Sequence, residues 1–233
     1  MGNRTLLVAL LAVVVGLAGL IAMPTLAAPG ESAMLAQAGS IMGPSMAGMM
    51  GGPVAADAQP IGIDQAAANA RQYIDRFGNP NLQLGEVMEF GANYYAQAVE
   101  RDTGVHAFEL LIDKYSGAVF PEMGPNMAWN TKYGMMGGMM GRFQRPGQGQ
   151  ASAEMPIGAQ RAQELAQQYL KTQGLQLGLE EPDRFYGYYT LHTLRGQEIE
   201  GMLSVNGYTG EIWYHVWHGP FIRELAPQAE VRG

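Results

Sequence analysis

The feature that most constrains this chain is that it repeats itself. Pro60-Ile61-Gly62 recurs as Pro156-Ile157-Gly158, and Ala66, Ala70, Tyr73, Ile74 and Gly78 return as Ala162, Ala166, Tyr169, Leu170 and Gly174 at one constant offset of 96. Leu82-Gln83-Leu84-Gly85 returns as Leu175-Gln176-Leu177-Gly178, and Tyr94-Tyr95 aligns with Tyr188-Tyr189. Tyr115-Ser116-Gly117 returns as Tyr208-Thr209-Gly210, and Gly124-Pro125 as Gly219-Pro220. Ordered matches of this kind mark two copies of one supersecondary unit, so each copy must be read as the same structure.

Each copy opens with a helix. Ala66, Ala70, Tyr73, Ile74 and Phe77 share one stripe at helical spacing, with Asp64 expected as the N-cap and Gly78 as the stop. Ala162, Leu165, Ala166, Tyr169 and Leu170 repeat the stripe, stopped by Gly174. The small alanines suit close packing on a flat sheet. Phe108, Leu110 and Ile112 alternate with Glu109, Leu111 and Asp113, the period-two pattern of a strand, and Ile199, Leu203 and Val205 do similar work in the second copy. Both strands run into a turn in which Asp113 or Asn206 can accept from amides ahead of it and Gly117 or Gly210 closes. Earlier strands are expected over 86–100 and 185–194. The fold class is therefore α+β, two tandem units, each one helix packed on a small antiparallel sheet. Units this small are near the lower limit for an independent core, so the two should pack together.

Composition shifts divide the rest. Residues 29–60 and 134–155 are Gly-, Ala- and Met-rich with few charges and read as linkers, so the repeats span 61–133 and 156–225, with a tail at 226–233. Residues 1–28 read as a signal peptide or an N-terminal membrane anchor: Arg4 is followed by an uncharged run of 18 residues, 6–23. Thr25-Leu26-Ala27 and Ala36-Gln37-Ala38 are acceptable cleavage sites; an uncleaved helix would instead tether the chain to a membrane, as an accessory structural subunit of a membrane-bound complex. Either way the remainder is expected outside the cytoplasm, in the periplasm or at the cell surface.

An apolar strand ending in Asp-x-x-[Ser/Thr]-Gly-x-[Val/Ile], preceded by a helix with spaced alanines, resembles the PepSY domain. The pattern stands here from Ile112 and Asp113 to Ser116, Gly117 and Val119, and again from Val205 and Asn206 to Thr209, Gly210 and Ile212. The second copy departs from it by carrying Asn206 where Asp is usual. The resemblance implies a small extracytoplasmic binding module, with a cell-envelope protein or peptide as partner, and it brings no catalytic residues to carry over.

The remaining chemistry is sparse. A net charge of −7 with only 15% charged residues argues against nucleic acid as a partner, and the absence of cysteine excludes thiolate metal sites and a Cys nucleophile. No phosphate, dinucleotide, hydrolase or zincin motif occurs, so an enzyme is not expected and no catalytic residue is assigned. Glu109, Asp113 and Glu122 lie along one stretch and are expected on a strand's wet face. Methionine is the anomaly. Met42, Met46, Met49, Met50, Met135, Met136, Met139 and Met140 offer thioethers, soft ligands that suit copper or silver. They are the candidate metal ligands, with copper the candidate cofactor; the alternative is an adaptable packing surface. His215 and His218 stand at i, i+3, but Ile212 to Trp217 alternates as a strand, which points the two rings apart. Trp129, Tyr133, Trp213 and Trp217 are the aromatic candidates for partner binding.

Overall fold

A computed structural model describes residues 58–134 and 152–225. The N-terminal apolar run, both cleavage sites and the eight candidate methionines lie outside these residues. No helix among the described residues is long and apolar enough to cross a membrane.

The first unit runs α1 (Ile63–Asp75), β1 (Leu82–Phe90), β2 (Asn93–Glu100), β3 (His106–Asp113), β4 (Val119–Pro121) and a single-turn helix α2 (Pro125–Ala128). The second runs α3 (Ala159–Thr172), β5 (Gly178–Leu179), β6 (Asp183–Arg184), β7 (Tyr188–Arg195), β8 (Glu198–Asn206), β9 (Ile212–Tyr214) and β10 (Phe221–Glu224). Each unit is an antiparallel sheet with a helix on it, the α+β arrangement expected. The helix stripes pack as the alanine spacing requires. Ala66, Ala67 and Ala70 are buried with Tyr94, Ala96, Phe108, Leu110 and Ile112, while Ala162 and Ala166 are buried with Tyr189, Leu191, Leu203 and Val205.

The turns form as the sequence predicts. Asp113 Oδ1 accepts from the amides of Tyr115 and Ser116, and Asn206 Oδ1 from those of Tyr208 and Thr209. Gly117 and Gly210 close them at φ of 68° and 75°, a region that side chains avoid. Two details at the first helix differ. Gly62, not Asp64, is the N-cap, and Asp64 lies in the first turn, where its charge favours the helix dipole. Phe77 lies past the helix end and is half exposed, stacked on Phe108.

The sequence alignment of the tyrosines is also off by one. Tyr94 pairs opposite Ile112 and Tyr189 opposite Val205, so Tyr94 corresponds to Tyr189, and Asn93 to Tyr188. In a strand a slip of one residue exchanges the two faces. Tyr94 and Tyr189 face their helices, while Tyr188 faces the other unit.

The two sheets pack face to face, giving the layers helix, sheet, sheet, helix. Tyr188 Oη and Thr190 Oγ1 donate to Glu109 of the first unit, Gln97 Nε2 donates to Asp183 of the second, and Met88, Phe90, Tyr95 and Met202 form a small apolar cluster between them. Full burial of side chains of this size stabilises by about 1.5–3 kcal/mol each. The units also exchange a strand: β10 leaves the second unit and pairs with β1, so the first sheet has the order β10-β1-β2-β3-β4. The Arg223 guanidinium reaches Glu89 at 2.8 Å, and Lys114 reaches the same carboxylate at 2.9 Å.

Face-to-face packing overturns one expectation. Glu109 and Glu122 are not on a wet face; both are fully buried, because the second sheet covers the face of β3 that a lone unit would leave in water.

Candidate metal centre

The expected strand over 212–217 stops at Tyr214, and residues 216–218 form a turn. That turn removes the reason for the two histidines to diverge. His215 and His218 both aim at Glu122, which sits just after β4 in the other unit. His215 Nδ1 lies 3.4 Å from Glu122 Oε1 and His218 Nε2 lies 3.0 Å from it. The side chains are 0%, 1% and 0% exposed for His215, His218 and Glu122.

The outer contacts fix which atoms face inward. Asn93 Nδ2 donates to the Trp217 carbonyl, so its Oδ1 accepts from His218 Nδ1–H at 2.9 Å and leaves Nε2 toward Glu122. Thr190 spends its proton on Glu109, so Ser204 donates to Thr190 and its oxygen accepts from His215 Nε2–H at 2.9 Å. That leaves His215 Nδ1 facing inward. Trp217 Nε1 donates to Glu122 Oε1 at 2.8 Å, and the Trp217 ring stacks on His215 with centroids 4.6 Å apart.

Glu122 Oε2, His215 Nδ1 and His218 Nε2 have no hydrogen-bond partner among the described residues, and the two ring nitrogens converge on the Glu122 carboxylate. Orphaned buried polar atoms are costly, and a group of them on three adjoining side chains asks for an occupant. One donor atom from each residue falls in a group spanning no more than 4.8 Å, so Glu122, His215 and His218 could hold a metal ion. Burial pushes the Glu122 carboxyl up, but His215 and His218 outweigh it and hold it below the usual carboxylate range. Burial pushes the His218 imidazole down, against the pull of Glu122, which favours the neutral ring that ligates.

The centre belongs to a larger polar layer. All four histidines of the chain lie between the sheets, and each faces a carboxylate of the other unit: His106 with Asp183 and His192 with Glu86, both at 3.4 Å, besides the Glu122 pair. Glu109 accepts from Tyr95, Tyr188 and Thr190, and burial together with the nearby Glu122 charge raises its pKa well above the ordinary value.

The aromatic candidates gather at the same end. Trp129 meets Trp213 edge to face at 5.9 Å, both half-buried, and Trp217 caps the group of Glu122, His215 and His218. Tyr133 is apart from them, its hydroxyl on Glu100, which also receives Lys132, Thr103 and Tyr186. The sequence did single out the His215 and His218 pair, but Glu122 carried no signal beyond its charge.

Comparison of the chain with protein-family models, with curated proteins and with solved structures finds no match.

Proposed function

We propose that this is an exported, non-enzymatic metal-binding protein of two PepSY-like units. A divalent d-block ion at Glu122, His215 and His218 would fasten the units together for a cell-envelope partner. The carrying observation is the set of three buried, unpartnered donor atoms whose other atoms are already held by Asn93, Ser204 and Trp217. Outer partners of this kind orient ligands and raise their basicity. Imidazole with carboxylate suits zinc or copper(II) better than calcium or magnesium, which want oxygen alone. Burial of all three ligands supports a structural ion, whose fourth tetrahedral position these three residues leave to water. Export rests on the apolar run at 6–23, and the partner on the PepSY resemblance.

Equilibrium dialysis of the full chain against zinc and copper(II), with thermal melting, tests this. One ion per chain should bind and raise the midpoint, by about 2.7 kcal/mol of stability at a hundredfold excess over Kd. The double variant His215→Ala, His218→Ala should bind none at this centre. Undiminished binding in that variant would reject the centre, and copper(I) retained by it would assign copper to the methionine segments instead.

A further inference from the structure

A second buried pair lies in the same layer, away from the metal group. The β1–β2 register shifts between Leu84 and Val87, and this bulge carries Glu86. Bulges re-aim side chains, and Glu86 Oε2 meets His192 Nε2 of β7 at 3.4 Å across the sheet interface. Neither atom has a hydrogen-bond partner among the described residues, and the His192 side chain is 7% exposed. His192 Nδ1 is committed to Glu180 Oε2 at 2.9 Å, which holds the ring proton there. The Nε2 lone pair therefore faces a carboxylate oxygen, an arrangement of two acceptors that repel unless something positive sits between them.

The surroundings make a proton the natural occupant. Glu86 feels the carboxylates of Asp183 on β6, Glu180 after β5 and Glu224 on β10; the imidazoles nearby are His192 and, beyond it, His106 of β3 and His218. No lysine or arginine acts on this pair among the groups that shift it. We propose that Glu86 and His192 share one proton as a clamp between the two sheets, so that losing it loosens the interface. Tying one residue of each unit, the clamp shares no residue with the metal centre.

The titration agrees with the geometry. Burial, then the carboxylates, pushes Glu86 up to about 7 against the opposing pull of His192. Burial lowers His192, but its bond to Glu180 and the charges of Glu86 and Asp183 outweigh this and raise it. The pair holds its shared proton more tightly folded than unfolded, so the stabilisation is present while that proton is bound and is lost as pH rises through the raised values.

The test compares the chelator-treated full chain with Glu86→Gln, whose amide can donate to His192 Nε2 at every pH. Between about pH 6 and pH 8.5 the wild-type melting midpoint should fall by about 3 °C or more relative to the variant. Equal pH dependence in the two proteins would overturn the clamp. Imidazole NMR of the wild type provides a readout that needs no variant. His192 should keep an Nε2-bound proton above its ordinary titration range, and a ring that loses it below that range would overturn the clamp equally.

Discussion

Glu122 and His215 occupy the same position of the two repeats, and their side chains meet. The Glu122 amide donates to the Glu109 carbonyl and the His215 amide to the Met202 carbonyl, each at 2.9 Å, while Glu109 and Met202 stand opposite Gln97 and His192 in matching registers. The equivalent residues face each other at 3.4 Å. Packing two like sheets face to face brings a repeated position close to its own counterpart. A carboxylate in one copy and an imidazole in the other then make a complementary pair, where two carboxylates would repel.

The outer contacts should matter to the metal while leaving the ligands intact. Ser204→Ala removes the acceptor of His215 Nε2–H, and Asn93→Ala removes that of His218 Nδ1–H. Each should weaken metal affinity about 10–100-fold with the stoichiometry kept, as competition against a chelating dye would show.

Glu109 should tolerate neutralisation and not removal. Burial raises its pKa well above normal, with Glu122 adding to it, so Glu109→Gln resembles the protonated form, whereas Glu109→Ala leaves Tyr95, Tyr188 and Thr190 without their acceptor. The alanine variant should lose about 2–4 kcal/mol in urea unfolding and the glutamine variant much less. A raised carboxyl stabilises at low pH and loses that contribution as pH climbs through its folded value. As pH rises above the ordinary carboxylate value, wild type should therefore weaken more than Glu109→Gln does.

Glu100 should behave in the opposite sense. Burial raises it, but hydrogen bonds from Lys132, Tyr133, Tyr186 and Thr103 outweigh that and hold it at about 2, below its ordinary 4.5. Its contribution is present above the ordinary value and disappears as pH falls toward the folded one. Acid titration of the unfolding free energy should show a loss between these limits that Glu100→Gln lacks.

Gly187 lies against the backbone of the other unit. Its φ is 103°, and an added Cβ would lie 2.2 Å from the Trp129 carbonyl oxygen of the other unit. Gly187→Ala should cost about 2 kcal/mol or more in thermal or urea unfolding, through both the backbone and the contact.

The helices, the Asx turns with their closing glycines and the α+β class were legible because they are local. Alternation, alanine spacing and turn chemistry act over a few residues and recur in both copies. The candidate centre was legible in half. His215 and His218 stood out, yet strand alternation argued them apart until the turn after Tyr214 brought them together.

The sequence by itself determined two helix-on-sheet units, since periodicity dictates which face of each element is apolar. It could not determine what covers the opposite faces. Glu109 and Glu122 read as solvated polar residues while each sheet is considered alone. Only the meeting of the two sheets, with β10 crossing to pair with β1, excluded water from them. Burial then made partners of groups more than 90 residues apart in the chain, for carboxylate and imidazole interact strongly only where water no longer screens them.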